Sequence, residues 1–343
     1  MNNTMMITGI NGQDGCYLAK IALENGYDVI GVQRKSTNNT SKDVVRPFYE
    51  LGIYKNINFQ ITELEILKNV EMLIKTFKPK YFVHFASQSS IEKSFKFKDL
   101  TYQSNTVISK NIIDSIEKYS RETIMFFPSS ATIFEGYENT IVDENTNPLP
   151  LSNYSISKFN TQNYIDYKIN QSDLTLKTGI LFSHESEFRR YNFFSKKITK
   201  FLVEYQNNNN LCITVGDLSI KRDIGYAPEY AEAIFKILLL NNSEKFVISS
   251  NILYKLSDFV ENCLNYLGTS FEIVAENNMM SFVNRMTGKV FIKSDLDNFR
   301  EYDLRGIQGN NSKLKKLIDW EPKLNLNQIS QKMIDYELKI NNK

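Results

Sequence analysis

Thr4-Met-Met-Ile-Thr8-Gly9-Ile-Asn11-Gly12-Gln13-Asp14-Gly15-Cys-Tyr-Leu18 is an apolar run that breaks into three glycines spaced three apart. Thr4 to Thr8 reads as a buried strand and Gly15 to Asn25 as a helix, which places the glycines on the turn between them. Glycines there permit a tight turn and let a pyrophosphate approach the backbone at a helix amino terminus. The plain alternative is a packing turn. Its position at the head of the first strand–helix–strand unit favours dinucleotide binding, through Gly9, Asn11, Gly12, Gln13, Asp14 and Gly15.

The alternation continues outward from this loop. Strands are expected at Tyr27–Val32, Ile57–Ile61, Tyr81–Phe85, Thr123–Phe127 and Leu174–Leu181, with helices near 65–77, 99–119 and 152–171. Apolar strands separated by helices imply an α/β fold with a doubly wound parallel sheet covered on both faces. After about residue 182 the pattern loosens, and Ser186–Lys200 and Val274–Phe299 show no clean period. We therefore expect a dinucleotide-binding domain over 1–182 and a smaller carboxy-terminal substrate lobe over 183–343, with some chain returning to the sheet.

Composition excludes several classes. With 343 residues, 42% hydrophobic and 23% charged, the chain has ample material for a folded core. A net charge of +2 with no long basic run gives no case for nucleic acid or a membrane surface. Lys196, Lys197 and Lys200 read as a solvated helix face. Cys16, Cys212 and Cys263 have no metal or redox spacing, and an odd number fits reduced thiols, hence a cytoplasmic location. No apolar run approaches the ~18 residues of a membrane span, and the start of the chain runs directly into a strand, with no signal peptide. His84 and His184 lack partner spacing for a metal and read as structural; no metal site is expected.

Three further stretches carry chemistry. Arg34 and Lys35 follow the second strand, where a dinucleotide's adenosine ribose is met. Two cations there suit a 2′-phosphate, so NADP is the better electrostatic match and NAD the alternative. Pro128-Ser-Ser130-Ala-Thr132-Ile-Phe-Glu135-Gly136 sits at the carboxyl end of a strand, the edge where open α/β sheets bind ligands. The Ser130 hydroxyl, or failing that Thr132, is placed to hold a reacting oxygen. Then Ser152-Asn-Tyr154-Ser-Ile-Ser-Lys158 sets a phenol and an ammonium one helical turn apart on one face. A lysine so placed would lower the phenol pKa and suit it to move a proton on a sugar or alcohol oxygen.

With these residues in view, the chain resembles the extended short-chain dehydrogenase/reductases that act on nucleotide sugars, and among them the GDP-mannose 4,6-dehydratase family. The resemblance runs through Gly9–Gly15, Gly31–Ser36, Ala86-Ser87-Gln88-Ser89, Tyr154 with Lys158, Gly179-Ile-Leu-Phe-Ser183-His184-Glu185-Ser186, Gly216–Asp223, and Arg300–Gly309 ahead of Trp320-Glu-Pro322. It implies a Rossmann domain and places Ala86 and Ser87 against the cofactor. Tyr154 would be the base, with Lys158 orienting Tyr154 and the nicotinamide ribose. Gln88, Ser89, Ser183, His184, Glu185, Lys197, Arg222 and Arg300 would hold a GDP-sugar, the two arginines taking the diphosphate. It also implies a homodimer or homotetramer paired through the helices near 99–119 and 152–171.

The departures bear on the reaction. Dehydratases of this kind carry Thr-x-Glu at the strand end, where the Glu removes the carbon-5 proton. The corresponding triplet here is Ser130-Ala131-Thr132, resembling that of UDP-galactose 4-epimerases, and Glu135 follows with one inserted residue before Gly136. Ser183 replaces a substrate-contacting Asn, and Ile61 stands where an Asp meets adenine. The expected activity is NAD(P)-dependent oxidoreduction at carbon 4 of a GDP-hexose or GDP-heptose, through a 4-keto sugar and without obligatory dehydration. One alternative is a 4,6-dehydratase using Glu135. Another is a catalytically silent dinucleotide-binding protein, against which the conjunction of Tyr154, Lys158, Arg222 and Arg300 argues.

Overall fold

The computed structural model describes residues 3–34, 42–88, 91–276, 279–298 and 304–341. Lys35, Ser89 and Arg300, assigned above to cofactor or substrate, lie outside the described residues. Seven strands form one sheet: β1 Thr4–Thr8, β2 Asp28–Gln33, β3 Ile57–Ile61, β4 Tyr81–His84, β5 Ile124–Ser130, β6 Leu176–Leu181 and β7 Glu244–Ile248. Every pairing is parallel, in the spatial order β7-β6-β5-β4-β1-β2-β3. β1, β4 and β6 are buried almost throughout, as continuous apolar strands must be when helices cover both faces.

Helices α1 (Gln13–Glu24) and α6 (Ala227–Leu238) cover one face, with Leu18, Ala22, Ala231 and Ile234 packed against β1 and β7. On the other lie α2 (Leu67–Phe77), α3 (Ile108–Tyr119) and α4 (Asn153–Gln171), packing Ile74, Ile112 and Ile165 onto Phe82, Met125 and Phe127. Strand order reverses between β1 and β4. All strands being parallel, their carboxyl ends share one edge, and ligands bind outside that edge at the reversal.

The smaller lobe has its own core. α5 (Phe194–Asn207), α7 (Leu326–Asn341) and the helix Leu256–Tyr266 pack Leu202, Met333 and Phe259 against Phe282 and Phe291 of a four-stranded sheet. The chain between 186 and 200, without clean period in the sequence, begins α5 at Phe194, and much of 274–299 lies in β-strands of that sheet. β7 and α6 return from beyond residue 182 to the main sheet.

Two local expectations change. The helix expected over 99–119 is interrupted: Lys98–Tyr102 is helical, Gln103–Val107 forms a wider π turn, and α3 follows. That turn presents Asn105 so that its amide accepts from Gln88 N at 2.8 Å and donates to Gln88 O at 3.0 Å and Ser157 Oγ at 3.1 Å. Such π turns often sit at functional sites. Lys196, grouped with the solvated lysines, is instead buried: Nζ donates to Glu187 O at 2.7 Å and pairs with the buried Glu337 carboxylate on α7. Lys197 and Lys200 do face solvent.

Candidate active site

Gly9 has φ +67, and a Cβ there would lie 2.6 Å from Ala86 N; only glycine lets the first turn press against the end of β4. A Cβ on Gly15 would lie 2.6 Å from Ile10 Cα, so this glycine brings α1 down onto the turn. Gly12 is the N-cap of α1 and supplies no side-chain cap. The helix thus presents its first amides, with the positive end of its dipole, toward the strand edge. These features fit a dinucleotide pyrophosphate.

The polar residues of the loop do something else. Gln13 Nε2 donates to His184 O at 2.9 Å, and Gln13 Oε1 accepts from Ser186 Oγ at 2.8 Å. Asp14 Oδ1 lies 2.9 Å from His184 Nε2. Asn11 donates to Gln33 Oε1 at 2.8 Å, which occupies the residue at the end of β2. Arg34 is exposed, 3.9 Å from Glu65, and Ile61 is exposed at the end of β3. Ala86 N donates to Thr8 Oγ1 at 3.3 Å, and Ser87 is half-buried beside it.

Across the reversal, β5 ends at Ser130, and Tyr154 comes from the first turn of α4. Ser130 Oγ accepts from Thr132 Oγ1 at 3.0 Å and from Thr132 N at 3.3 Å. The Tyr154 phenol lies near enough for the Ser130 hydroxyl to lower its pKa. Three hydroxyls therefore meet at the strand edge.

Lys158 lies one turn further along α4 and is buried. Its Nζ donates to Pro128 O at 2.9 Å and stands 5.9 Å from the Tyr154 ring centroid. Burial lowers its pKa to about 7. Burial likewise pushes the Tyr154 phenol up to about 12, against the lowering effects of the Ser130 hydroxyl and the Arg189 guanidinium. The expected influence of Lys158 on the phenol is outweighed here. An ammonium that is itself desolvated and turned to a carbonyl gives little help to its neighbour.

Arg189, not singled out from the sequence, pairs with Glu185 at 3.3 Å and stacks on Phe193 at 3.8 Å. Its only advance signal was a pair of arginines just beyond the His184-Glu185-Ser186 motif.

Glu135 is almost fully buried, with its carboxylate at the amino terminus of α4. It accepts from Ser152 N at 2.7 Å, Leu151 N at 3.3 Å and Ser152 Oγ at 3.2 Å, and from the Ser155 hydroxyl. A carboxylate there satisfies orphan amides and suits the helix dipole. Oε1 takes both amides and the Ser155 hydroxyl, while Oε2 has the Ser152 hydroxyl at 3.2 Å.

On the substrate side, Ser183 and His184 lie on the short strand Ser183–Glu185, paired in register with Ile224 and Gly225 of Lys221–Tyr226. That second strand carries Arg222, half-buried, next to the buried Asp223. Asp223 accepts from Ser250 N and Oγ at 2.7 Å and from Asn251 N and Gly309 N at 3.1 Å. It ties the arginine's strand to the tail. Gln88 is held by Asn105 as described, and its Nε2 reaches Thr101 Oγ1 at 3.4 Å. His84 accepts or donates to Thr8 Oγ1 at 2.7 Å through Nδ1; its buried Nε2 has no partner among the described residues.

A parallel sheet with a glycine turn at its reversal, and a Ser–Tyr–Lys cluster opposite, defines an extended short-chain dehydrogenase/reductase. The profile of the GDP-mannose 4,6 dehydratase family matches residues 6–333, and the chain belongs to that family. It is 28% identical to the human GDP-mannose 4,6 dehydratase over 346 residues, covering 98% of this chain and 92% of the human protein. Among solved structures it is similar to the UDP-glucose 4-epimerase of Thermotoga maritima with UDP-glucose (TM-score 0.81, 19% identity, 98% and 99% of the two chains). It is similar also to the dTDP-glucose 4,6-dehydratase of Bacillus anthracis in complex with NAD (TM-score 0.79, 18% identity, 99% and 97%). Among the described residues, no helix is long and apolar enough to cross a membrane.

Proposed function

We propose that the chain oxidises carbon 4 of a GDP-sugar, hexose or heptose, using a nicotinamide dinucleotide, and that the 4-keto sugar leaves or is reduced without loss of water. The observation that carries this reading is the company Tyr154 keeps. Hydroxyls of Ser130 and Thr132 stand at the strand edge, and the nearby carboxylate, Glu135, is held by the start of α4.

Tyr154 takes the proton of the carbon-4 hydroxyl, and Ser130 donates to the same oxygen as it becomes a carbonyl, a pairing that supports general-base help of ~10²–10⁴. A nicotinamide dinucleotide held on the Gly9–Gly15 turn would, in its oxidised form, supply the acceptor for the carbon-4 hydrogen as hydride. Thr132 steadies Ser130. A proton at carbon 5 meets hydroxyls and no carboxylate, so it stays. Lys158 holds Tyr154 and the nicotinamide ribose in place, and Arg222 meets the diphosphate, with Arg300 as its expected partner.

NADP is favoured over NAD. Arg190 lies close enough to Arg34 that, after partial desolvation and Arg189, the Arg34 guanidinium helps depress its pKa. Arg34 just after β2, with the charge of Arg190 within its reach, suits a 2′-phosphate. The site would work within a homodimer or homotetramer. Exposed Phe97, Leu100 and Tyr102 before α3, with Ile156 and Tyr167 on α4, give that pairing an apolar surface.

Family membership favours a second reading, 4,6-dehydration. It requires Glu135 to abandon α4 and turn toward carbon 5.

The test uses GDP-hexoses, beginning with GDP-mannose, deuterated at carbon 4. Deuterium should slow turnover and appear on the nicotinamide ring or return to carbon 4 of the product. Turnover insensitive to deuterium, with none ever reaching the cofactor, would overturn carbon-4 oxidation.

A further inference from the structure

His184 belongs by position to the substrate segment, yet its ring is turned to the cofactor loop. Nδ1 lies 2.6 Å from Phe182 O, and Nε2 lies 2.9 Å from Asp14 Oδ1. A carbonyl oxygen can only accept, so Nδ1 carries a proton. An ionised carboxylate can only accept, so Nε2 carries one too, and the ring is an imidazolium. The other assignment gives the proton to Asp14. That carboxyl sits in the first turn of α1, where the helix dipole favours its anion.

The surroundings agree. Burial would raise Asp14, but the charge and hydrogen bond of His184, with Arg189 behind them, take it below its usual range. Burial would lower His184, but Asp14's charge and hydrogen bond raise it, against Arg189. Among the described residues, the titratable side chains of α1 and α6 packed on the pair are neutral. Burial pushes the Cys16 thiol and Tyr17 phenol of α1 and the Tyr230 phenol of α6 well up, and the Tyr230 ring lies tilted against His184 with centroids 4.6 Å apart. Arg189 is the remaining cation.

We propose that His184 is a standing imidazolium that serves the dinucleotide: it neutralises Asp14 so that the amino terminus of α1 accepts a pyrophosphate, while locking Phe182–Ser186 to the glycine loop. The dinucleotide half rests on the function proposed above; the imidazolium does not. An uncompensated carboxylate in the first turn of α1 would oppose the anion the glycines are shaped to admit. Gln13, bonded to His184 O and Ser186 Oγ, makes the second strand of the same latch. His184 is thus a positioning residue.

The chain has two histidines, which makes the charge directly readable by ¹⁵N-histidine NMR on the unliganded protein. His84 is neutral, its pKa pushed down to about 3 by burial and then by Lys158. At pH 7 one ring should show both nitrogens protonated and remain so beyond the ordinary histidine value of about 6.5. Two neutral rings would overturn the proposal. The raised proton affinity belongs to the folded state. Its stabilisation is therefore complete below the ordinary value and is lost as pH climbs through the raised one.

Cofactor titration supplies the second arm. His184→Gln should weaken NADPH and NADH binding about tenfold, the scale of ordinary site coupling. Adding Asp14→Asn to it should restore most of the loss. A double variant that binds worse than His184→Gln alone would show a merely structural contact and end the claim. If His184→Gln does not fold, Asp14→Asn alone should bind NADPH and let the His184 titration fall to the ordinary range; an unmoved titration would count against the proposal. Wild-type protein that binds neither dinucleotide would sink the proposed function while the NMR result stood.

Discussion

Tyr154→Phe is expected to reduce turnover on GDP-sugars by ~10³-fold or more, with cofactor and nucleotide-sugar affinities changed only slightly. The phenol oxygen is the group whose proton moves, so its removal costs the general-base term and leaves the binding surfaces in place. Packing should tolerate the change: the ring is buried at the strand edge, and the lost hydroxyl leaves Ser130 still bonded to Thr132. Steady-state kinetics beside a binding titration separates the two effects. Retained kcat would mean that another group moves the proton. The pH profile carries a related expectation. A phenol held near 12 is a poor base in the unliganded protein. The rising limb of the profile, set by loss of the Tyr154 proton, should therefore move to lower pH once cofactor and substrate are bound, and Lys158, held down near 7, should titrate within the working range.

Glu135→Gln should cost stability and spare chemistry. The carboxylate accepts from the amides of Ser152 and Leu151 and from the Ser152 and Ser155 hydroxyls. Glutamine keeps one acceptor oxygen but turns an NH2 on the remaining donors. Leaving buried donors unmet costs about 1–3 kcal/mol, and losing a charge at the helix amino terminus adds to that. Unfolding by urea should show the loss in the midpoint, with kcat per folded molecule within a few-fold of wild type. A dehydratase that used Glu135 as its carbon-5 base would behave oppositely, folding well and turning over at a small fraction of the parent rate. The two measurements together decide between the readings.

What the sequence disclosed followed the kind of interaction. The glycine loop was legible because Gly9 and Gly15 answer to backbone geometry, which is local. β1, β4 and β6 were legible because strands buried on both faces read as nearly continuous apolar runs. Long-range pairings were not. Lys196 looked like one of a run of solvated lysines, and nothing near it in the chain announces Glu337 on α7. Asp14 and His184 stand in separate motifs, one read for cofactor and one for substrate. Each looks complete alone, and only the fold shows that they bind each other. The π turn at 103–107 escaped notice because one widened turn leaves the apolar rhythm of a helix almost unchanged. Glu135 was visible as an extra residue before Gly136. Its destination depended on where α4 begins, which is a matter of tertiary structure.

The central claim is a redox site that lacks a carboxylate for carbon 5, and the mass of the sugar product tests it most directly. After incubation with GDP-mannose or the GDP-sugar that turns over, the nucleotide-sugar product should have the mass of the starting sugar, or differ from it only by the hydrogens moved in oxidation. A product lighter by one water, formed at the rate of substrate consumption, would contradict the account and return the protein to the dehydratases its family is named for.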